Sequence, residues 1–284
     1  MFFGRSPEGL SDTVFAKKYQ VHEEVGRGGM SIVYRATQLD DSLEVALKIA
    51  AGLALDDKAA LKRLIQEGKL LTDLHHPHLV QVFEVGKAKG LYFIVMEYLG
   101  GGMLKDMIQR KGMLREKEAL QMIMPVAEAL WYVHKNGIIH GDLKPSNIML
   151  NGKGNLKIMD FGLAELSFEQ DNKDRRRTGT PTYMSPEQVQ GHRLDFRSDI
   201  YSLGVTLYEL ITERVPFPGT DMKSVLTKQL MFVPKSPKVY NHELSKDLEA
   251  MVMSMLDKNP KNRPPNMDIV LSELKRILEN GSGA

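Results

Sequence analysis

The chain has 284 residues, 42% of them hydrophobic, with 38 lysines and arginines against 36 aspartates and glutamates and no cysteine. That length and apolar content support a large core and exclude disordered, fibrous and disulfide-stapled miniprotein classes. A formal charge of +2 gives no field that would draw nucleic acid or a membrane surface, and the missing cysteines exclude disulfides, thiolate catalysis and cysteine-ligated zinc and suit a reducing, cytoplasmic setting.

Residues 1–18 read as an N-terminal extension without the continuous apolar stretch of a signal peptide, and nowhere do about 18 apolar residues follow one another. The chain is therefore expected to be soluble, with no membrane segment. From Tyr19 to Tyr98 the pattern is mainly one of short strands. Early in this region, Gly26-Arg27-Gly28-Gly29-Met30-Ser31-Ile32-Val33 places glycines where a strand turn can bring backbone N–H groups close to phosphates. Alone, the run is equally a glycine-rich hairpin. No helix pattern opens after it, which disfavours a βαβ dinucleotide site, and Ser31 stands where a third glycine would.

Next, Val45, Leu47 and Ile49 alternate with Ala46 and Lys48, so a period of two turns Lys48 away from the apolar side of its strand. From Lys58 to Leu74 a helix is expected, with Leu61, Leu64, Ile65, Leu71 and Leu74 on one stripe and Asp56 or Asp57 as cap. Glu67 falls on that stripe. A carboxylate facing inward requires a cation, because an unpaired buried charge is costly; Lys48 is the candidate, and the plain alternative is Glu67 turned to solvent. Leu91 to Met96 reads as a buried strand. Gly100-Gly101-Gly102 then reads as a flexible link between a β-rich region, 19–98, and an α-rich one, 99–279, with a ligand cleft between them.

In the second region Leu120, Ile123, Met124, Ala127 and Leu130 mark one helix, which Pro125 is expected to strain or kink. Ile200, Leu203, Gly204, Leu207, Leu210 and Ile211 mark another. Between them, strands at Ile148–Leu150 and 156–159 enclose loops rich in chemistry. His140-Gly141-Asp142-Leu143-Lys144-Pro145-Ser146-Asn147 gathers a carboxylate, an ammonium and an amide, and Asp160-Phe161-Gly162 presents a second carboxylate. Two carboxylates, an amide and a lysine are what magnesium-assisted phosphoryl transfer requires: hard oxygen ligands, a positioned base and positive charge for phosphates. Residues 280–284 read as a flexible tail, which leaves open that the chain is part of something longer.

These elements, in this order, resemble the catalytic domain of eukaryotic-type (Hanks-type) serine/threonine protein kinases, of the bacterial kind, from about Tyr19 to Leu278. The resemblance implies an α+β, bilobal fold with a small β-rich lobe carrying one key helix and a larger α-helical lobe. It implies that Lys48 holds the α- and β-phosphates of ATP and pairs with Glu67, that Lys144 contacts the γ-phosphate, and that Asp142 accepts or orients the substrate hydroxyl proton. Asn147 and Asp160 would ligate Mg²⁺ or Mn²⁺. Gly26, Gly28, Val33, Ala46 and Met149 would complete the nucleotide site, with Met96, Glu97 and Leu99 at the gatekeeper and hinge beside adenine. Gly179 to Glu187 would be the peptide-docking segment, with Glu187 paired to Arg263, and Asp199 would anchor the catalytic loop backbone. From the residues alone, Asp199 reads as a helix N-cap, the preferred reading at this point.

Small-molecule phosphotransferases of the aminoglycoside or choline kinase type often carry His-Gly-Asp in this loop, but they lack Asp-Phe-Gly and the docking segment. A pseudokinase would show damage at Lys48, Asp142, Asn147 or Asp160, and none is damaged. Asp142-Leu143-Lys144-Pro145 together with Thr180 indicates a serine or threonine acceptor on a protein. Most regulated kinases carry an arginine where this chain has Gly141, so little dependence on loop phosphorylation is expected. Arg175-Arg176-Arg177 before Thr178 is either a solvated basic run or a lure for an acidic substrate or partner. The implied setting is cytoplasmic, open to a membrane-anchored parent.

Overall fold

Alternating β-branched and aromatic residues in the first hundred positions build one antiparallel sheet. Its strands are β1 (Val14–Phe15), β2 (Tyr19–Arg27), β3 (Ser31–Gln38), β4 (Glu44–Ala50), β5 (Val82–Ala88) and β6 (Leu91–Glu97), in spatial order β1-β2-β3-β4-β6-β5. This computed structural model describes residues 9–29, 31–52, 58–161, 165–166 and 180–281, without the side chains of 58–60, 63, 64, 67, 165 and 166. The chain divides into two compact units, Met1–Gly100 and Gly101–Ala284.

In the first unit, Val45, Leu47 and Ile49 point into a core shared with Val21, Tyr34, Phe93 and Val95, as their period of two requires. The sheet starts earlier than expected. Phe15 in β1 is fully buried and meets the ring of Phe93 edge-on at 5.4 Å, so the extension supplies a core aromatic. Helix α1 (Lys58–Thr72) stops two residues short of Leu74, and its expected caps, Asp56 and Asp57, lie outside the described residues. Gly68 brings it close to the sheet: a Cβ there would sit 2.7 Å from Val85 and 2.9 Å from Ile94.

The second unit holds α2 (Leu104–Lys111), α3 (Glu116–Lys135), α4 (Pro186–Gln190), α5 (Phe196–Thr212), α6 (Met222–Met231), α7 (Lys246–Met255) and α8 (Met267–Asn280). Strand β7 (Ile138–Ile139) pairs with β10 (Glu165–Leu166), and β8 (Ile148–Leu150) with β9 (Leu156–Ile158). Helix α3 runs through Pro125 without interruption; Gln121, whose carbonyl Pro125 cannot satisfy, is on the exposed side where water can. Helix α5 is buried along nearly its whole length, and Gly204 allows its backbone to approach Met255, whose Cβ would lie 2.8 Å from a Cβ at that position.

Two residues of the triple glycine are bonded to β8. Gly101 donates to the Leu150 carbonyl at 2.9 Å and the Leu150 N–H donates to the Gly102 carbonyl at 2.9 Å. A Cβ at Gly101 would come within 2.8 Å of the Leu150 carbonyl oxygen, and Gly102 has φ +85°. At Gly101 the missing side chain permits a close backbone approach to β8, and Gly102 adopts a φ that glycine reaches without strain. Among the described residues no helix is long and apolar enough to cross a membrane.

Candidate active site

In the first unit, register places several expected nucleotide-binding residues on one face of the sheet. Lys48 in β4 lies directly opposite Val33 in β3, and Ala46 opposite Met96 in β6. Directly opposed residues share a face, and i, i+2 neighbours share it too. Val33, Ala46, Lys48 and Met96 therefore line the face opposite the Val45, Leu47 and Ile49 core. The Gly26–Val33 run is a hairpin: Gly26 pairs with Val33 and the Gly28 N–H donates to the Ser31 carbonyl at 2.8 Å. Ser31 is a plain strand residue opposite Ala50, so this position needs no third glycine; Met30 lies outside the described residues. Glu97 donates its N–H to the Gln81 carbonyl at 2.8 Å, and Leu99 is buried. The side chain of Glu67, and with it the expected Lys48 pairing, lies outside what is described.

In the second unit the polar loop between β7 and β8 closes around one carboxylate. Lys144 Nζ donates to Asp142 Oδ2 at 2.6 Å, and Asn147 Nδ2 donates to the Asp142 carbonyl at 2.8 Å and to its Oδ2 at 3.2 Å. Pro145 begins a turn of 3₁₀ helix through Asn147, a fitting use of its fixed φ, and this turn brings Asn147 back over Asp142. Met149 follows in β8, opposite Lys157 of β9. His140 is fully buried. Its Nδ1 accepts the Asp142 N–H at 3.1 Å, so its Nε2 carries the hydrogen donated to the Met159 carbonyl at 3.3 Å, and Phe161 packs on the ring at 4.5 Å.

Asp160, beside Phe161, has φ +64°. A non-glycine residue in the left-handed region stores strain of the kind that gathers at functional sites.

Behind this loop stands Asp199. It is not the cap of α5; Asp195 is, through an Arg197 N–H at 2.8 Å. Asp199 sits one turn further in, fully buried, and accepts the N–H of His140 at 2.8 Å, the N–H of Gly141 at 2.9 Å and His134 Nε2 at 2.8 Å. Burial pushes its carboxyl up, but the His134 bond and the backbone donors outweigh this and hold it below the usual carboxylate value.

The segment entering α4 is fixed from three sides. Glu187 makes a two-pronged pair with Arg263, 2.8 Å at each prong, and accepts Ser198 Oγ at 2.6 Å. Burial raises the Glu187 carboxyl, yet Arg263 and Ser198 together leave it lowered. Ser185 and Gln188 form a capping box. Gln229, fully buried, donates to the carbonyls of Thr182 at 2.6 Å and Pro181 at 3.3 Å, and Thr180 accepts the Tyr183 N–H at 3.1 Å. Gly162, Gly179, Arg175, Arg176, Arg177 and Thr178 lie outside the described residues.

Three residues of this architecture were not singled out from sequence: His134, Gln188 and Gln229. Only Gln188 carries a local signal, the Ser-x-x-Gln spacing of a capping box. The other two act through partners 65 and 47 residues distant, which no periodicity reports.

A family model described as "Protein kinase domain" matches residues 19–274. The chain is similar to serine/threonine-protein kinase PknB of Mycobacterium tuberculosis (strain ATCC 25618 / H37Rv), 37% identical over 96% of this chain and 44% of that one. It is 34% identical to serine/threonine-protein kinase PrkC of Bacillus subtilis (strain 168) over 92% and 41%, and 36% identical to serine/threonine-protein kinase pkn3 of Myxococcus xanthus over 92% and 50%. The chain thus spans half the length or less of these relatives.

Proposed function

Because the chain belongs to the protein kinase domain family, we propose that it transfers the γ-phosphoryl group of ATP to serine and threonine hydroxyls of proteins with the help of Mg²⁺ or Mn²⁺. The observation that carries this reading is the convergence of Lys144 and Asn147 on the carboxylate of Asp142. A carboxylate so held is oriented before substrate arrives, which is where most of the catalytic advantage of a positioned group originates.

Asp142 takes or orients the proton of the attacking hydroxyl. Lys144, already within hydrogen-bond reach of that carboxylate, carries positive charge to the transferring phosphoryl oxygens. Lys48 holds the α- and β-phosphates in partnership with Glu67, over the hairpin of Gly26 and Gly28, while Val33, Ala46, Met96, Glu97, Leu99 and Met149 receive the nucleoside.

The donor set suits a hard divalent ion. Asp160 offers a carboxylate, and because Asn147 commits its amide nitrogen to Asp142, its oxygen is the atom left to face a cation. Bound there, the metal supplies neutralisation of phosphate charge. Thr180 and the segment through Glu187 hold the acceptor peptide, and Arg175, Arg176 and Arg177 favour acidic residues near it. A site of action in the cytoplasm, where ATP is available, accords with the absence of cysteine.

Radiolabelled ATP supplied with a generic basic protein tests the reading. Label should appear on serine and threonine only, vanish in EDTA and return with Mg²⁺ or Mn²⁺. Transfer confined to an aminoglycoside or choline, or transfer that persists without a divalent ion, would contradict it.

A further inference from the structure

The peptide group joining Gly141 to Asp142 is held at both ends. Its N–H donates to His140 Nδ1 at 3.1 Å, and its carbonyl oxygen accepts Gln188 Nε2 at 2.5 Å. The preceding peptide is also held, through the Gly141 N–H on Asp199 Oδ1 at 2.9 Å. Gly141 has φ +76°, a region glycine enters and leaves with little penalty, so nothing intrinsic to the residue keeps this peptide plane from turning over. External bonds must do it, and Asp142 hangs directly from the plane.

Gln188 cannot present its amide the other way round. Its Oε1 accepts the Ser185 N–H at 2.8 Å, which leaves Nε2 facing Gly141. Ser185 and Gln188 stand at the entry of α4, at the end of the stretch assigned above to the acceptor peptide. One side chain thus ties the segment that receives the acceptor to the peptide plane that carries the carboxylate.

We propose, resting on the kinase reading above, that Gln188 is a positioning residue for Asp142, acting through the Gly141 carbonyl. It supplies a direct link between the docking segment and the catalytic loop.

Gln188→Glu separates this role from helix capping. A glutamate keeps an oxygen for the Ser185 N–H but sets a second acceptor against the Gly141 carbonyl. With wild type assayed in parallel on a protein substrate, the variant is expected to stay folded at the assay temperature and to retain its KM for ATP while kcat falls about tenfold or more. A folded variant with kcat within about twofold of wild type overturns the proposal. A fall in the thermal midpoint with a matching rise in the KM for ATP overturns it too, because Gln188 would then serve the fold alone. Gln188→Ala, which removes the donor without setting an acceptor against the carbonyl, provides the second measurement: its kcat must also fall, and a folded alanine variant with kcat within about twofold of wild type counts against positioning. Wild-type protein without transfer activity would instead remove the kinase reading, and this inference with it.

Discussion

The N–H of Gly141 donates to Asp199 Oδ1 at 2.9 Å, a bond between residues 58 apart in the chain. Together with the His140 N–H and His134, it makes a buried carboxylate in α5 the fixed point of a loop in another part of the unit. Asp199→Asn replaces an acceptor by a donor in front of backbone donors. Leaving such buried groups unpaired costs about 2 kcal/mol, and the loop loses its orientation. Urea unfolding should show that loss, and kcat should fall with it; an asparagine variant of unchanged stability would refute the anchoring role.

The Glu187–Arg263 pair is a second fixed point, buried and two-pronged. Arg263 also donates to the carbonyls of Asp257 and Arg197, at 2.8 Å each. Lysine keeps the charge but cannot make the fork. Arg263→Lys should therefore lower the unfolding free energy by about 2 kcal/mol, read from the urea midpoint at constant slope. A change close to zero would mean that the pair is not sustaining this part of the fold.

Lys258 adds a pH dependence. Its Nζ donates to the Tyr201 hydroxyl at 3.1 Å and lies 3.7 Å from the centre of the Phe217 ring; Tyr201 in turn donates to Gln229 Oε1. Burial, and after it the charge of Arg263, pull the ammonium down to about 7 from its ordinary 10.5, while Asp257 works the other way. Between those two values the unfolded chain binds the extra proton and the folded one does not, so stability rises with pH across that window. Urea midpoints at about pH 7 and about pH 9 should show the rise, and Lys258→Met should flatten it. An equal slope in the methionine variant would show that Lys258 is not the titrating group.

Gly141 offers no guanidinium to grip a phosphorylated loop. Complete dephosphorylation, and separately Thr178→Ala, should leave initial rates on an external substrate close to those of wild type. A loss of about a hundredfold, roughly 3 kcal/mol in barrier, would show that another cation grips the loop.

Much of this was legible in advance because phosphoryl transfer demands particular residues close together in sequence. The His140 to Asn147 loop and the alternation that turns Lys48 from the core are local patterns, and each corresponds to a local structure. What was not legible is held by distant partners. Asp199, read from its residues alone as a cap, lies a turn inside α5, which Asp195 caps; its bonds to the His140 and Gly141 N–H groups are the anchoring that the family resemblance, and no local pattern, implies. His134 looks like one more residue on a helix until its partner 65 residues on is known. The glycine run shows a related limit: glycine permits both slackness and close approach, and the approach of Gly101 to the Leu150 backbone is set by a residue about 50 positions on, which no local pattern reports.

The carboxylate held by Lys144 and Asn147 is the group proposed to take or orient the acceptor proton. Asp142→Asn preserves its size and removes its charge. Single-turnover phosphoryl transfer to a protein substrate, measured with saturating Mg-ATP on variant protein whose thermal midpoint matches wild type, isolates that role. The rate constant is predicted to fall about a thousandfold with nucleotide affinity unchanged; a folded Asp142→Asn protein that transfers phosphate at nearly the wild-type rate would contradict it.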